Sequence, residues 1–375
     1  MNARFGSRHG CVLGFRGLQI DVHSNEAAPL QWLVEFLSPH LAAESASVRR
    51  RDVSLILDPS HYARLLAKPA SGHQERIDCF TADGEFEQLA LWHEDADGRL
   101  LHDAGAQAFV RIAARQGGIE IVAPTDHARV RISLMRVIRE LAMLQSLHRG
   151  DLFIHAAAGV LRGRAVVIAG QKRAGKTTML LDLLRRGEVQ YLSNDRIMVD
   201  TSADPPVVRG MPTIVKVRAE SLRFVPSLTE PAPGDPQRHY LTMQECASGS
   251  PLLEPPTRQP TSMSPVQFCR WLGVEPRAAA PIGTIVFPTV DPAVTRFDVR
   301  VLRAPQAAER IRASLFSAGS NGRVSQAFGA DWDGAFPAHD ATLDACRRLA
   351  ERCAAYECRI GPDAFHRPSV WESIA

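Results

Sequence analysis

Ala165-Val-Val-Ile-Ala-Gly170-Gln-Lys-Arg-Ala-Gly175-Lys-Thr-Thr-Met-Leu180-Leu-Asp-Leu-Leu-Arg185-Arg-Gly-Glu-Val-Gln190-Tyr-Leu-Ser-Asn-Asp195-Arg-Ile-Met-Val-Asp200 decides how the rest of the chain is read. Ala165 to Ala169 is a short apolar run suited to a buried strand. Gly170 to Thr177 follows it and fits G-x-x-x-x-G-K-[ST], whose glycines let the backbone curl so that successive N–H groups point at phosphate oxygens. Met179, Leu180, Leu183 and Leu184 then repeat at helical spacing, and Arg185, Arg186 and Gly187 supply stop signals. The helix would turn the positive end of its dipole toward the loop.

Val189 to Ser193 reads as the next strand, with Asn194 and Asp195 where it reaches the C-terminal edge of a parallel sheet, the usual ligand edge of open α/β folds. Gly170, Gln171, Lys172, Arg173, Ala174, Gly175, Lys176, Thr177 and Thr178 are therefore the candidate phosphate-binding residues. Lys176 would neutralise the β- and γ-phosphates. The Thr177 hydroxyl and the Asp195 carboxylate are the expected Mg²⁺ partners, because this hard ion takes few protein ligands and completes its shell with phosphate and water.

Working outward, Leu152 to Ala158 reads as a strand leading through a turn at 161–164 into the loop-bearing strand. His155 lies on it, either as a hydrogen-bonded core histidine or as a catalyst. On the C-terminal side, Val207 to Val217 reads as a strand system turning at Arg209-Gly210. Residues 226–264 are rich in Pro, Ser, Thr and Gly, the composition of a lid, a binding loop or a disordered stretch. Ser264 and Pro265 then have the signature of a helix N-cap and first position. Ile282–Phe287 and Arg296–Val301 read as strands, 306–316 as a helix, and Leu343, Cys346, Leu349 and Cys353 as the stripe of a late helix capped by Asp340.

Before the loop, strand patterns at 17–22, 53–57, 109–112 and 118–122 and a helix stripe of Leu30, Leu33, Phe36 and Leu37 indicate an α+β module. Arg49-Arg50-Arg51 reads as a solvated turn, or as a grip for an acidic peptide. Residues 127–148 form the clearest helix, with Arg129, Arg136 and Arg139 expected outside: a buttress between modules, or a basic docking face.

With 375 residues, two modules or one core with additions are expected. The division is 1–126 as the N-terminal α+β module, 127–304 as the loop-bearing core, and 305–375 as a helical and strand extension on that core. A net charge of +3 argues against wholesale nucleic-acid binding. Seven cysteines without a C-x-x-C pair signal neither a disulfide frame nor zinc, and no run is apolar and long enough for a membrane span. A cytoplasmic protein is expected.

The order of signals resembles the catalytic domain of the HPr kinase/phosphorylase family. The residues that carry the resemblance are Phe153-Ile-His155, Gly170 to Thr178, Arg186-Gly187, Asn194-Asp195 and Val208-Arg209-Gly210, within roughly 150–220. It implies an α/β fold with a P-loop core and transfer of a nucleotide γ-phosphate to a hydroxyl of a peptide, small protein or metabolite, with ATP and Mg²⁺. Type members assemble as hexamers, so a homo-oligomer is an expectation. Two departures stand out. The family's acidic pair is Asn194-Asp195 here, so its general base becomes an amide, and Val207-Val208 replaces the acid expected before the Arg-Gly turn. Asp195, His155, Lys176 and Arg209 are the candidate catalytic residues, with Arg218 a further candidate for transition-state charge. The alternatives are an ATP-binding module without transfer and a slow ATPase switch.

Overall fold

The computed structural model describes residues 9–42, 49–70, 76–80, 86–114, 118–171, 173–217, 261–316, 328, 339–361 and 371–374. Lys172, Arg218 and the Pro-rich stretch up to residue 260 lie outside the described residues. The chain divides into two compact units, Met1–Ser146 with Asn321–Gly334, and Leu147–Ser320 with Ala335–Ala375. The division thus falls about twenty residues beyond the expected 126, because the long helix goes with the first unit.

That first unit is one mixed sheet. Its elements are β1 (His9–Phe15), β2 (Leu18–Ser24), α1 (Ala27–Leu37), β3 (Arg49–Leu57), α2 (Pro59–Leu66), β4 (Arg76–Phe80), β5 (Phe86–Asp95), β6 (Gly98–Asp103), β7 (Ala108–Ala113), β8 (Ile119–Ala123) and α3 (Ala128–His148). The strands run in the order β1-β2-β3-β8-β7-β6-β5-β4, parallel at β2–β3 and β3–β8. Leu30, Leu33, Phe36 and Leu37 are the buried stripe of α1, as their spacing predicts. Asp58 caps α2 by accepting from the Ser60 and His61 N–H groups.

Two expectations fail in this unit. Arg49–Arg51 belongs to β3 rather than a turn: Arg51 is buried and Arg50 Nε donates to Asp21. The charge run is accommodated because the strand alternates faces and a buried carboxylate meets one guanidinium. Arg136 and Arg139 are buried in α3, so there is no basic outer face through them. Asp103 makes the burial of Arg136 tolerable, since its Oδ2 lies 3.5 Å from Arg136 Nη1 and accepts from Ser133 Oγ at 3.2 Å.

The second unit carries the sequence-predicted site. It comprises β9 (Leu152–Leu161), β10 (Arg164–Ala169), α4 (Lys176–Leu184), β11 (Val189–Ser193), β12 (Arg196–Asp200), β13 (Val207–Gly210), β14 (Val215–Val217), β15 (Thr261–Met263), α5 (Pro265–Leu272), β16 (Ala279–Val290), β17 (Phe297–Val301), α6 (Ala304–Ala313), α7 (His339–Arg352), β18 (Ala354–Ile360) and α8 (Trp371–Ile374). Strands β9 and β16 are long enough to pair at both ends with different neighbours. As a result the pairings β10–β9, β9–β12, β12–β13, β13–β16 and β16–β10 close into a ring.

One face of the sheet meets α4: Ala157, Val166, Ile168 and Val286 bury Met179, Leu180 and Leu183, joined by Phe268, Trp371 and Ile374. The other face packs Ile154, Ala156, Val167 and Ile285 with Ile311 of α6 and Cys346 and Leu349 of α7. Burial of these side chains, at about 25 cal/mol per Å² of apolar surface, is the main force holding α4 at the end of β10.

Several sequence expectations change here. The sheet is mixed, not parallel: β10 has β9 antiparallel on one side and β16 parallel on the other, while β11 pairs antiparallel with β9. The 305–375 extension is no appendage, since β18 lies inside the sheet between β16 and β17. The helix expected at 306–316 ends at Ala313, and Ser314 to Phe316 instead run beside β9. Asp340 sits within the first turn of α7 rather than capping it. No described helix is long and apolar enough to cross a membrane.

Candidate functional site

The strand, loop and helix read from 165–184 are present as β10, a turn and α4, built on local chemistry. Gly175 is the N-cap of α4 with φ 99°, in the left-handed region. A Cβ there would meet Ile360 Cδ1 at 3.2 Å and Val290 Cγ2 at 3.4 Å, so both conformation and space call for glycine. The first turn of α4 begins directly after the loop, with Thr177 and Thr178 half-buried. Lys176 is 7% exposed, and its Nζ donates to the Gly170 carbonyl at 2.9 Å and the Gln171 carbonyl at 3.0 Å. Burial pulls its pKa down to about 8, against the opposing pull of the Asp195 charge. Gln171 and Arg173 are exposed and Ala174 half-buried.

Ala156 of β9 brings the loop and the acid together. It pairs with Ala169, the last residue of β10, on one side, and on the other its N–H donates to the Asp195 carbonyl at 3.0 Å. One strand therefore separates the start of the loop from Asp195, a backbone span of about 10 Å at two inter-strand spacings. Because β10 and β11 are both antiparallel to β9, their C-terminal ends still point the same way, which preserves the juxtaposition expected from a parallel sheet.

His155 precedes Ala156 and shares the sheet face of α4. Its Nε2 lies 2.9 Å from Asp195 Oδ1, and buried Arg196, its cross-strand partner, brings Nε to 3.5 Å from Asp195 Oδ2. Burial alone would push the Asp195 carboxyl up. The His155 hydrogen bond and charge, then Arg196 and Lys176, outweigh it and hold the group well below the usual carboxylate range. The side chain remains 38% exposed, so the ionised carboxylate can still be reached. A carboxylate and a hydroxyl, as on Asp195 and Thr177, are hard oxygen donors, the chemistry that a hard divalent cation takes. Among the described residues no group of three or more His, Cys, Asp and Glu side chains forms a metal cage.

Asn194 is engaged elsewhere. Tyr191 Oη donates to its Oδ1 at 2.7 Å, Thr213 Oγ1 donates to the same atom at 3.2 Å, and its Nδ2 donates to the Ile214 carbonyl at 3.4 Å. The amide joins β11 to the segment before β14. Arg209 stands opposite Met198 on β13, on the same face as His155 but three residues along from Asp195, about 10 Å at the rise of a strand. The arginine beside Asp195 is Arg196.

Sequence reading missed two neighbours of the site. Arg196 follows Asp195 directly, and its meaning depends on the cross-strand position of His155, a long-range pairing. Phe316 stacks on Phe153 and tilts over the His155 ring, and no local pattern announces it. Neither a comparison with known protein families nor a search of curated proteins finds a match to this chain.

Proposed function

We propose that the second unit is a P-loop core of the HPr kinase-like kind, and that the protein is an ATP-dependent kinase transferring the γ-phosphate to a hydroxyl of a peptide, protein or small metabolite. The observation that carries this reading is the convergence at Ala156, where the Lys176 loop and the His155–Asp195 pair meet at one sheet edge.

The chemistry needs positioning and charge more than covalent help. Backbone N–H groups of the 170–177 loop and the α4 dipole hold the phosphates, and Lys176 exchanges its two loop carbonyls for phosphate oxygens. Thr177 and Asp195 would hold Mg²⁺, which when bound neutralises charge on the β- and γ-phosphates. The acceptor hydroxyl attacks Pγ as its proton leaves, the bond from Pγ to the bridging oxygen breaks, and ADP departs. Asp195 is too weak a base to take that proton, because the His155 hydrogen bond and the Arg196 and Lys176 charges stabilise its ionised form. His155 is the better acceptor: with Nε2–H donated to Asp195, Nδ1 is left to receive the proton, and the carboxylate stabilises the resulting imidazolium.

A cytoplasmic setting goes with this reading, and the free thiols of Cys11, Cys269, Cys346, Cys353 and Cys358 are in keeping with it. Labelled ATP incubated with the protein and cell extract tests the reading. Label on an acceptor, lost in Lys176→Ala and strongly reduced in His155→Gln, supports it. A second reading, nucleotide binding without transfer, is favoured by one observation: Asn194 replaces the family base and is fully committed to Tyr191, Thr213 and Ile214. Tight binding with neither transfer nor hydrolysis would select that reading, and free phosphate without an acceptor would select a slow ATPase switch.

A further inference from the structure

The segment that leaves α6 does something the loop motif does not require. Beyond Ala169 strand β10 ends, and Ser314 to Phe316 takes over its side of β9: His155 N–H donates to the Ser314 carbonyl at 2.8 Å and Phe316 N–H to the Phe153 carbonyl at 3.0 Å. The same segment is tied to the phosphate loop, because Gln171 Nε2 donates to the Ala313 carbonyl at 2.8 Å. The Phe316 ring stacks on Phe153, with centroids 4.4 Å apart and planes at 21°, and lies 5.0 Å from the His155 ring at 37°. Arg196 Cζ sits 5.3 Å from the centroid of that ring. One aromatic ring therefore lies against both side chains that flank Asp195.

We infer that Phe316 is a positioning residue, which fixes the His155 imidazole with Nε2–H on Asp195 and keeps the Arg196 guanidinium beside the same carboxylate. The physical reason is that a ring held on two sides loses its rotational choices. Phe153 fixes Phe316, Phe316 covers one side of the imidazole, and Asp195 then selects which nitrogen carries the proton. The guanidinium is attracted to the ring face and so approaches the carboxylate from a set direction. An aliphatic side chain of similar size would fill the space and supply neither effect. This role rests on the kinase reading for its chemical consequence, since an imidazole in the wrong tautomer cannot accept the acceptor hydroxyl's proton at Nδ1. It does not rest on that reading for the geometry.

The test compares the full-length wild type with Phe316→Leu and Phe316→Tyr. Long-range proton–nitrogen correlation spectra of the imidazoles, with His155→Gln to assign the signal, report the tautomer whatever the reaction. The wild type is expected to show the Nε2–H form, Phe316→Tyr to keep it, and Phe316→Leu to show a mixture. Calorimetry with ATP and magnesium should give dissociation constants within about twofold for all three, while transfer falls about tenfold or more in Phe316→Leu alone, the scale expected when a proton acceptor is misaligned. An unchanged tautomer in Phe316→Leu overturns the inference. So does a Phe316→Tyr protein that behaves like the leucine variant. If the wild type binds no nucleotide, the kinase reading fails while the imidazole spectra still decide the role of Phe316.

Discussion

At the scale of single residues the site is a balance of charges. Lys176 is buried yet cationic near neutrality, and its ammonium is satisfied by two loop carbonyls that phosphate oxygens would replace. Lys176→Ala should weaken ATP binding about a hundredfold, roughly 3 kcal/mol, as charge-assisted contacts are lost. Binding should also depend on pH. Below about 8 the side chain carries its charge, and as pH rises through that value the affinity should fall, by up to tenfold per unit, a dependence absent in Lys176→Met. The sign for stability is opposite. A lysine pKa depressed by burial makes its charged form a cost to the fold below about 8, and this cost is relieved as pH climbs from about 8 toward 10.5.

Asn194 tests the proposed likeness to HPr kinase-like proteins, where an acidic residue stands at this place. Asn194→Asp would keep the Tyr191 and Thr213 donors but set a buried carboxylate against the Ile214 carbonyl that now accepts from Nδ2. It should cost about 1–3 kcal/mol in urea unfolding and give no faster transfer. A gain in transfer would show that the amide is a lost base rather than a structural pin. Lys176, Thr177 and Asp195 became site candidates through motif and spacing, whereas His155, which spacing left open between core residue and catalyst, became one through the family resemblance. Arg196 and Phe316 were not legible in this way, because their roles arise from cross-strand and stacking partners far away in sequence.

At the scale of elements, those with local signals were read well. Strand β10, the loop and α4 each carry their own cue, and so does α5, where Ser264 Oγ accepts from the Gln267 N–H and Gln267 Oε1 accepts from the Ser264 N–H in a capping box. Ser264→Ala should cost about 1 kcal/mol in thermal or urea unfolding and leave nucleotide affinity unchanged. The short helix α8 had no such cue. Its Trp371 Nε1 donates to buried Asp182 Oδ2 at 2.9 Å on α4, and Thr284 Oγ1 donates to the Ile374 carbonyl at 3.0 Å. Trp371→Phe would leave that carboxylate short of a donor in a site where burial already raises its pKa, and should destabilise the fold by about 1–3 kcal/mol. The effect would reach the phosphate loop through α4, as a lower melting temperature in the apo protein that ATP partly restores.

At the scale of the molecule, neither the closed ring of five strands nor the interior place of β18 could be read in advance. Periodicity tells that a segment is a strand and which face it buries, but not its partner, and β9 and β16 each have different partners along their length. The ring matters because it makes the His155–Asp195 pair and the loop neighbours across a single strand, with α4 buried on the same sheet. Titration calorimetry of the intact chain with ATP and Mg²⁺, beside Lys176→Ala and Asp195→Asn, tests this most directly. The expected result is one site per chain, weakened about a hundredfold by Lys176→Ala, with magnesium dependence lost in Asp195→Asn. No nucleotide uptake by the wild type, or equal uptake by Lys176→Ala, would contradict it.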